Sequence, residues 1–410
     1  MSLARLLYFL LAFAATCALV WVLERPLQVG DNTLPPLGGF FNPFTGFWRN
    51  AEPAVAVPGQ KADIRLPGLK NEVQVVYDEL LVPHIFAQNA EDAMRAQGYV
   101  VAQHRLWQMD MTARSASGTL SEVLGPRTLE IDRLTRRQGM GLTAKNTLAV
   151  WEKSPENKAL LDAFTAGANA WLAQMPPADW PVEFKLLNYA PTEWSNLKSA
   201  LVFAAMARNL SFREDDFAAT TTLAQIGASD FNYLFPEWNP TVNPVVPDLG
   251  QWKNWPKNPV PAARKTAELP ASTSFFEPMP DPESGDPAHD GSNNWAVAAR
   301  KSASGHPMLA NDPHLSLTLP SFWFQVQLHT PEVNCYGVTL PGVPGIVIGF
   351  NENIAWGVTN GGHDVVDCGT GTNFVNEGSP IRNKENTSIE AEIIQLLNAE
   401  RTNFGLPPLR

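Results

Sequence analysis

Hydrophobic and polar positions follow a helical spacing in the first half of the chain and a strand spacing later. In residues 91 to about 114, apolar side chains recur every three or four positions, which predicts an amphipathic helix. Residues 156–175 and 197–228 predict further helices. Side chains from 322 to 329 alternate between apolar and polar, which predicts a strand with one buried face. Helices followed by strands indicate an α+β fold.

Shorter runs predict the remaining strands. The run that begins at Ser292 has the composition of a buried strand, and four other β-branched or apolar runs are also expected to be extended. These four are residues 73–77, 82–86, 345–349 and 354–358.

Residues 6–23 (LLYFLLAFAATCALVWVL) carry no charge. Their length is at the lower edge of a membrane span and also fits the apolar part of an export signal. Because no clear Ala-x-Ala site follows, we favour an uncleaved anchor, and a buried helix of a soluble protein is the other alternative. With an anchor or a signal, we expect the rest of the chain to be exported, either periplasmic or membrane-anchored and facing out of the cytoplasm.

Composition excludes several classes of function. The 410 residues are too many for one ordinary core, so two or more structural units are expected. A net charge of −11 with no basic block argues against nucleic-acid binding. The scattered histidines do not match a His-Glu-x-x-His metal site, and a Gly-x-Ser-x-Gly esterase turn is missing. Cys335 and Cys368 could form a disulfide in an oxidising compartment or remain two separate thiols.

The sequence HDGSNNW at 289–295 is the strongest candidate for chemistry. It follows a Pro-, Ser- and Asp-rich spacer and places Gly291 before Ser292 at the start of a strand. Cleavage between the two would give Ser292 a free α-amine with a pKa of about 7.7–8. That amine can serve as the base for the serine's own hydroxyl. An ordinary serine in a turn before a strand is the alternative.

Four sequence blocks occur in order between about residues 72 and 367. They are Tyr77-Asp78-Glu79 with VPHI at 82–85; GYVVAQHRLWQM at 98–109 with Arg114, Gly118 and Glu122; GSNNW at 291–295; and a last set formed by Asn311-Asp312-Pro313-His314, Pro341-Gly342, Gly349-Phe350-Asn351, Trp356-Gly357 and Asp367. Together they resemble the penicillin acylase family of N-terminal nucleophile hydrolases, which includes penicillin, cephalosporin and acyl-homoserine lactone acylases.

The resemblance implies a fold, a maturation and a reaction. The fold would be an αββα four-layer sandwich with a mainly helical α-chain region. The precursor, a zymogen, would cleave itself between Gly291 and Ser292 into α and β chains that remain partners. The reaction would be hydrolysis of a linear amide C–N bond, as in antibiotic metabolism, through an acyl-enzyme on Ser292. The substrate would be a small acylated amine or a lactam side chain.

The resemblance and the composition together divide the chain into six segments. They are a signal or membrane anchor (1–26), a linker (27–71), the α-chain region (72–235), a loop-rich region with the spacer peptide (236–291), the start of the β chain (292–368) and a tail that does not resemble the family (369–410).

The resemblance also implies catalytic roles. Ser292 would be the nucleophile, His314 would orient it and offer a backbone amide, and the backbone N–H of Asn360 would bind the oxyanion. One such donor contributes roughly 2.7–4 kcal/mol of transition-state stabilisation. A structural role in a loop is the alternative for His314.

Two further sets of residues follow from the resemblance. Asp216, Asp364, Asp367 and the carbonyl of Val366 resemble a structural Ca²⁺ site, since carboxylate and carbonyl oxygens suit this ion. Solvated acidic loops are the alternative. Aliphatic residues at acyl-pocket positions imply an aliphatic acyl group, with plain core packing as the alternative; they are Met206, Leu210, Leu315, Ile348 and Val358.

The resemblance ends near Cys368. Family members supply a second oxyanion donor, an Asn side chain far into the β chain, which has no counterpart before Arg410. We therefore expect a truncated or frame-shifted chain or an excerpt of a longer one. A catalytically inactive family member or a non-catalytic binding protein remains the alternative function.

Overall fold

The described part of the chain contains both helices and sheets. The computed structural model describes residues 3–30, 32–51, 63–211, 215–235, 292–315 and 317–360. The chain forms two compact units, one of residues 1–212 and 248–364 and the other of residues 213–247 and 365–410. The mixture of helix and sheet agrees with the predicted α+β class.

Most helices precede residue 235. They are α1 (Leu3–Leu23), α2 (Ala90–Ser117), α3 (Ser121–Leu124), α4 (Leu129–Arg137), α5 (Met140–Trp151), α6 (Pro155–Gln174), α7 (Val182–Leu186), α8 (Asn196–Ser211) and α9 (Asp215–Leu234). Short 3₁₀ turns occupy Phe47–Ala51, Pro126–Thr128, Pro177–Asp179 and Ala299–Lys301. Within the range 197–228 that was predicted to be helical, the described residues form α8, up to Ser211, and α9, from Asp215. Of the second unit, α9 is the described part.

The strands form three sheets in the described residues. They are β1 (Leu27–Val29), β2 (Asn32–Leu34), β3 (Gln74–Tyr77), β4 (Pro83–Phe86), β5 (Ser292–Val297), β6 (Met308–Pro313), β7 (Phe324–His329), β8 (Asn334–Thr339), β9 (Ile348–Phe350) and β10 (Ala355–Trp356). The largest sheet has the order β10-β9-β8-β7-β4-β3, while β1-β2 and β5-β6 are two-stranded.

Helix α2 is the central helix of the first unit, and it crosses α6 at very close range. A β-carbon on Gly98 would lie 2.0 Å from the carbonyl oxygen of Phe164, and one on Gly167 would lie 1.9 Å from that of Arg95. Both distances are far below van der Waals contact, so the crossing requires glycine on both helices. The side chain of Asn89 caps the start of α2 by accepting a hydrogen bond from the amide of Asp92.

The six-stranded sheet joins the two sides of the proposed cut. Strand β4, from the helical region, pairs in parallel with β7, and Ile85 lies opposite Leu328. Every second residue of β7, beginning with Phe324, is buried as the alternating pattern predicted. Gln97 of α2 adds a second connection, because its side-chain amide exchanges two hydrogen bonds of 2.8 Å with the backbone of Gly345.

The strand that begins at Ser292 is less buried than its composition predicted. The four central residues of β5 are exposed, and Trp295 has 57% of its surface accessible. Among the described residues β5 pairs with β6 alone, so both faces of this ribbon remain largely open. The Asn-Asp-Pro run at 311–313 forms the end of β6.

Candidate active site

Ser292 is the first residue of β5 and is partly buried. The antiparallel register places it opposite Pro313, the last residue of β6. His314 follows directly, and its backbone N–H donates a 3.4 Å hydrogen bond to the Oγ of Ser292. The β5–β6 ribbon therefore brings together two residues that are 22 positions apart in sequence.

The His314 side chain has a different partner from its backbone. Its Nε2 lies 3.3 Å from the Oδ2 of Asp312, whose side chain is 77% exposed. In this arrangement the backbone amide of His314 contacts the serine, and the imidazole faces a solvated carboxylate. The contact to Ser292 thus depends on the path of the main chain and not on the type of side chain at 314.

Asn311 holds the segment after β10 against the ribbon. Its Nδ2 donates to the carbonyl of Val358 at 2.9 Å, and its Oδ1 accepts from the amide of Val358 at 3.1 Å. Asn294, which lies opposite Asn311 in the ribbon, donates to the Oγ1 of Thr359 at 3.3 Å. A β-carbon on Gly357 would lie 2.6 Å from the Asn311 side chain, so glycine is needed for this approach.

Asn360 follows these anchored residues directly and is exposed. The strand pair that carries Ser292 therefore also holds the backbone that leads to Asn360, through Asn294 and Asn311. The sequence interpretation assigned no role to these two asparagines. Asn294 and Asn311 both lie within the sequence blocks on which the resemblance rests. Their position in these blocks is the sequence signal that could have identified them as site residues.

The five predicted pocket residues occupy different surroundings. Met206 is 6% exposed and shares a core cluster with the partly buried Leu315. Met206 also lines a small cavity of about 40 Å³ with Phe322 and Pro341. Ile348 is half-buried in β9, Val358 is 36% exposed, and the side chain of Leu210 lies outside the described residues. The structure thus brings two of the five into one cluster.

The predicted calcium ligands lie almost entirely outside the described residues. Asp364, Val366 and Asp367 fall beyond residue 360, as do Cys368 and any pairing with Cys335. Asp216 is in α9, where its backbone but not its side chain is described. Within the described ranges, no cluster of three or more His, Cys, Asp or Glu side chains is arranged to hold a metal ion. Gly291 also lies outside those ranges.

Ser292 thus lies at the first position of a strand, and the backbone amide of His314 is directed at its hydroxyl. A family model described as Penicillin amidase matches residues 72–391. The chain therefore belongs to the penicillin amidase family.

Curated relatives agree with this family. The chain is 33% identical to a penicillin acylase 2 proenzyme of Pseudomonas sp. (strain SE83), over 80% of this chain and 42% of the relative. It is 32% identical to the acyl-homoserine lactone acylase QuiP of Pseudomonas aeruginosa, over 76% of this chain and 36% of the relative. The chain thus spans about two fifths of the length of the curated relatives it matches.

A solved structure of a thermostable penicillin G acylase from Alcaligenes faecalis also matches the chain. The identity is 27% and the TM-score is 0.38, with 43% of this chain and 97% of that chain covered.

Proposed function

We propose that this chain carries the self-cleaving serine centre of an acylase that hydrolyses linear amide C–N bonds. The hydrogen bond from the His314 amide to the Oγ of Ser292 is the observation that supports this most directly. It orients the hydroxyl at the start of the strand where the proposed cleavage would free an α-amine. The names of the relatives, penicillin acylase and acyl-homoserine lactone acylase, agree with an amide substrate.

Maturation would begin with the serine hydroxyl adding to the carbonyl carbon of Gly291. The C–N bond between Gly291 and Ser292 would then break while the Ser292 nitrogen takes up a proton, and an ester would remain on Oγ. Water would hydrolyse this ester, which returns a carboxylate to Gly291 and frees both the hydroxyl and the amine of Ser292. The residue would then be a nucleophile that carries its own base.

Turnover would use the same atoms. The hydroxyl of Ser292 would attack the substrate carbonyl while its α-amine accepts the proton. The backbone N–H of Asn360 would bind the developing oxyanion, and the amide of His314 would hold the serine. Collapse of the intermediate would release the amine product and leave an acyl-enzyme, which water would hydrolyse to the carboxylic acid.

An aliphatic acyl group is the substrate feature that the predicted pocket favours. Met206 and Leu315 contribute to a shared apolar cluster. Hydrolysis of long-chain acyl amides should therefore exceed that of phenylacetyl amides, as measured by release of the free amine. A preference for the phenylacetyl group would contradict this assignment.

Two finer features belong to the same proposal. The first is an αββα four-layer sandwich completed by residues beyond those described. The second is a structural Ca²⁺ bound by Asp216, Asp364, Val366 and Asp367, whose oxygen donors suit that ion. The ion would connect the two chains without contacting substrate. A chelator should then lower the melting temperature, and an unchanged melting temperature would argue against bound calcium.

The central experiment compares the intact masses of the purified parent chain, Ser292→Ala and the control Ser304→Ala. Ser304 is an exposed serine in the connection between β5 and β6. The parent and the control should give two chains whose masses place the break between residues 291 and 292. Ser292→Ala should remain one chain of 45.0 kDa.

A parent chain that stays uncut would reject self-cleavage and favour the alternative of a non-catalytic family member. Cleavage of Ser292→Ala at the same rate as the parent would exclude Ser292 as the nucleophile of maturation.

A further inference from the structure

A compact aromatic turn follows the apolar helix α1. Residues 37–51, here called the aromatic knob, are organised around Asn42. The side-chain oxygen of Asn42 accepts hydrogen bonds from the amides of Phe44 at 2.8 Å and Thr45 at 3.1 Å. Its backbone carbonyl accepts a 2.7 Å hydrogen bond from the indole of Trp48. Residues 37–51, which belong to the segment predicted as a linker over 27–71, therefore form a folded turn.

The aromatic knob is attached on two sides. On one side, the amide of Gly38 donates a 2.9 Å hydrogen bond to the carbonyl of Leu23, the last residue of α1. On the other, the buried amine of Lys185 in α7 donates to the carbonyl of Gly46 at 3.1 Å and to the side chain of Asn50 at 2.7 Å. Lys185 is only 6% exposed. The knob thus connects the end of the helix to the body of the first unit.

Helix α1 has the properties of a bilayer span. It is 21 residues long, its mean hydropathy is 2.4, and its apolar residues are not buried within the described structure. At 1.5 Å per residue its length is close to the ~30 Å hydrocarbon thickness of a bilayer. The guanidinium of Arg25 lies 4.1 Å from the ring centroid of Trp21, which puts a cation and an indole together at the end of the span.

The aromatic knob presents large apolar side chains to solvent where the span ends. Phe44 is 81% exposed, Trp48 42% and Phe41 41%. Between Arg25 and Arg49 the sequence contains a single ionisable residue, Asp31. Exposed aromatic rings in a nearly uncharged stretch beside an apolar span are typical of the interface between lipid and water.

We propose that α1 remains in the mature protein as a membrane anchor and that Phe41, Phe44 and Trp48 insert into the headgroup region of the bilayer. A lipid surface accounts for these rings better than a protein partner does. The hydrogen bond between Gly38 and Leu23 ties the knob to the end of the span, so the rings follow the helix to the membrane surface. The contacts of Lys185 then hold the body of the first unit beside the membrane.

The test uses the full chain reconstituted in phosphatidylcholine vesicles. The native cysteines are replaced by Cys17→Ala, Cys335→Ser and Cys368→Ser, and a bimane fluorophore is attached to Phe44→Cys. The matched control is Leu80→Cys, at a site in the β3–β4 turn that is also 81% exposed. Vesicles with lipids brominated near the headgroup should quench the label at 44 at least twofold and leave the label at 80 unchanged.

Two results would overturn the proposal. Equal quenching at positions 44 and 80 would exclude insertion of the aromatic knob. An intact N-terminal mass that begins after Leu23 would show that the helix is removed and does not anchor the mature chain. Both readouts are independent of amide hydrolysis, so they do not depend on the proposed catalytic function.

Discussion

At the scale of single residues, side-chain amides repeatedly replace a backbone partner. Gln97, Asn169 and Asn311 each donate to the carbonyl and accept from the amide of one other residue. The partners are Gly345, Trp194 and Val358 respectively. An amide side chain carries both a donor and an acceptor, so it can bind an irregular segment as a neighbouring strand would.

Replacing Asn311 with leucine should loosen the segment that precedes Asn360. The change removes both hydrogen bonds to Val358. At about 1 kcal/mol each, their loss makes local opening about thirtyfold more frequent. Amide hydrogen exchange over residues 357–360 should increase by that factor, while Asn353→Leu at an exposed position of the same region should leave it unchanged. The rates of the proposed self-cleavage and turnover should fall by a larger factor than the unfolding equilibrium constant changes. The reason is that a small displacement of an oxyanion donor slows the reaction strongly.

Exchange over 357–360 that does not change in Asn311→Leu would show that other contacts position this segment. A similar increase in Asn353→Leu would show that the effect is not specific to Asn311.

His104 gives the fold a defined dependence on pH. Burial, together with the charge of Arg105, lowers its pKa to about 4. Its Nε2 lies 3.1 Å from the hydroxyl of Tyr77, and its ring packs on Phe324. Because the folded-state pKa lies below that of the unfolded chain, the neutral histidine contributes stability above about pH 6.5 that is lost as the pH falls towards 4.

The unfolding free energy should fall by about 2–3 kcal/mol between about pH 6.5 and about pH 4. His104→Gln keeps a hydrogen-bonding group but cannot titrate, so its unfolding free energy should vary less over the same range. Denaturant unfolding at several pH values measures this, with His306→Gln, an exposed histidine, as the control. If the unfolding free energy of His104→Gln changes with pH as much as that of the parent chain, other groups cause the pH dependence.

At the scale of elements, the crossing of α2 and α6 depends on two glycines. Gly98→Ala or Gly167→Ala would place a methyl group within about 2 Å of a backbone carbonyl, which no side-chain rotation can relieve. Either change should therefore lower the unfolding free energy by about 3 kcal/mol or more. Denaturant midpoints are the direct measurement.

Gly141→Ala is the matched control for this crossing. Gly141 lies in α5, and no atom lies within 4 Å of the position that its β-carbon would take, so alanine should be neutral or slightly stabilising there. If Gly98→Ala and Gly141→Ala lower the unfolding free energy equally, helix propensity and not the close helix crossing causes the destabilisation.

The elements with a regular hydrophobic period could be predicted from the sequence. Helix α2 and strand β7 have such a period, and both were placed to within a few residues. Short elements such as α3, α7 and β8 were not predicted, because tertiary contacts and not local pattern decide them. The burial of β5 was predicted too high, since burial depends on which strands pair with it.

The candidate site could likewise be predicted only where local sequence features determine it. Ser292 could be selected from its sequence neighbours, since glycine and a strand start are local features. The contact between Ser292 and the amide of His314 depends on strand register, which the turn between β5 and β6 determines. The amide pair between Asn311 and Val358 joins residues 47 positions apart, and nothing in the local spacing predicts it.

At the scale of the whole molecule, the segments before and after the proposed cleavage site share a sheet and several hydrogen bonds. β4 lies between β3 and β7 in one sheet, and Gln97 binds Gly345. Arg105 and Gln108 of α2 also donate to the carbonyl of Ser321. Cleavage after Gly291 would therefore leave two chains that share a sheet and a core.

The pairing of β4 with β7 has a thermodynamic consequence. While the chain is intact, unfolding is unimolecular and its midpoint does not depend on protein concentration. After cleavage, unfolding also separates two molecules, so mass action should raise the melting temperature as concentration increases. Melting curves of cleaved protein and Ser292→Ala over a hundredfold concentration range would distinguish the two cases. Equal midpoints at all concentrations in the cleaved protein would mean that the separated chains remain associated when unfolded.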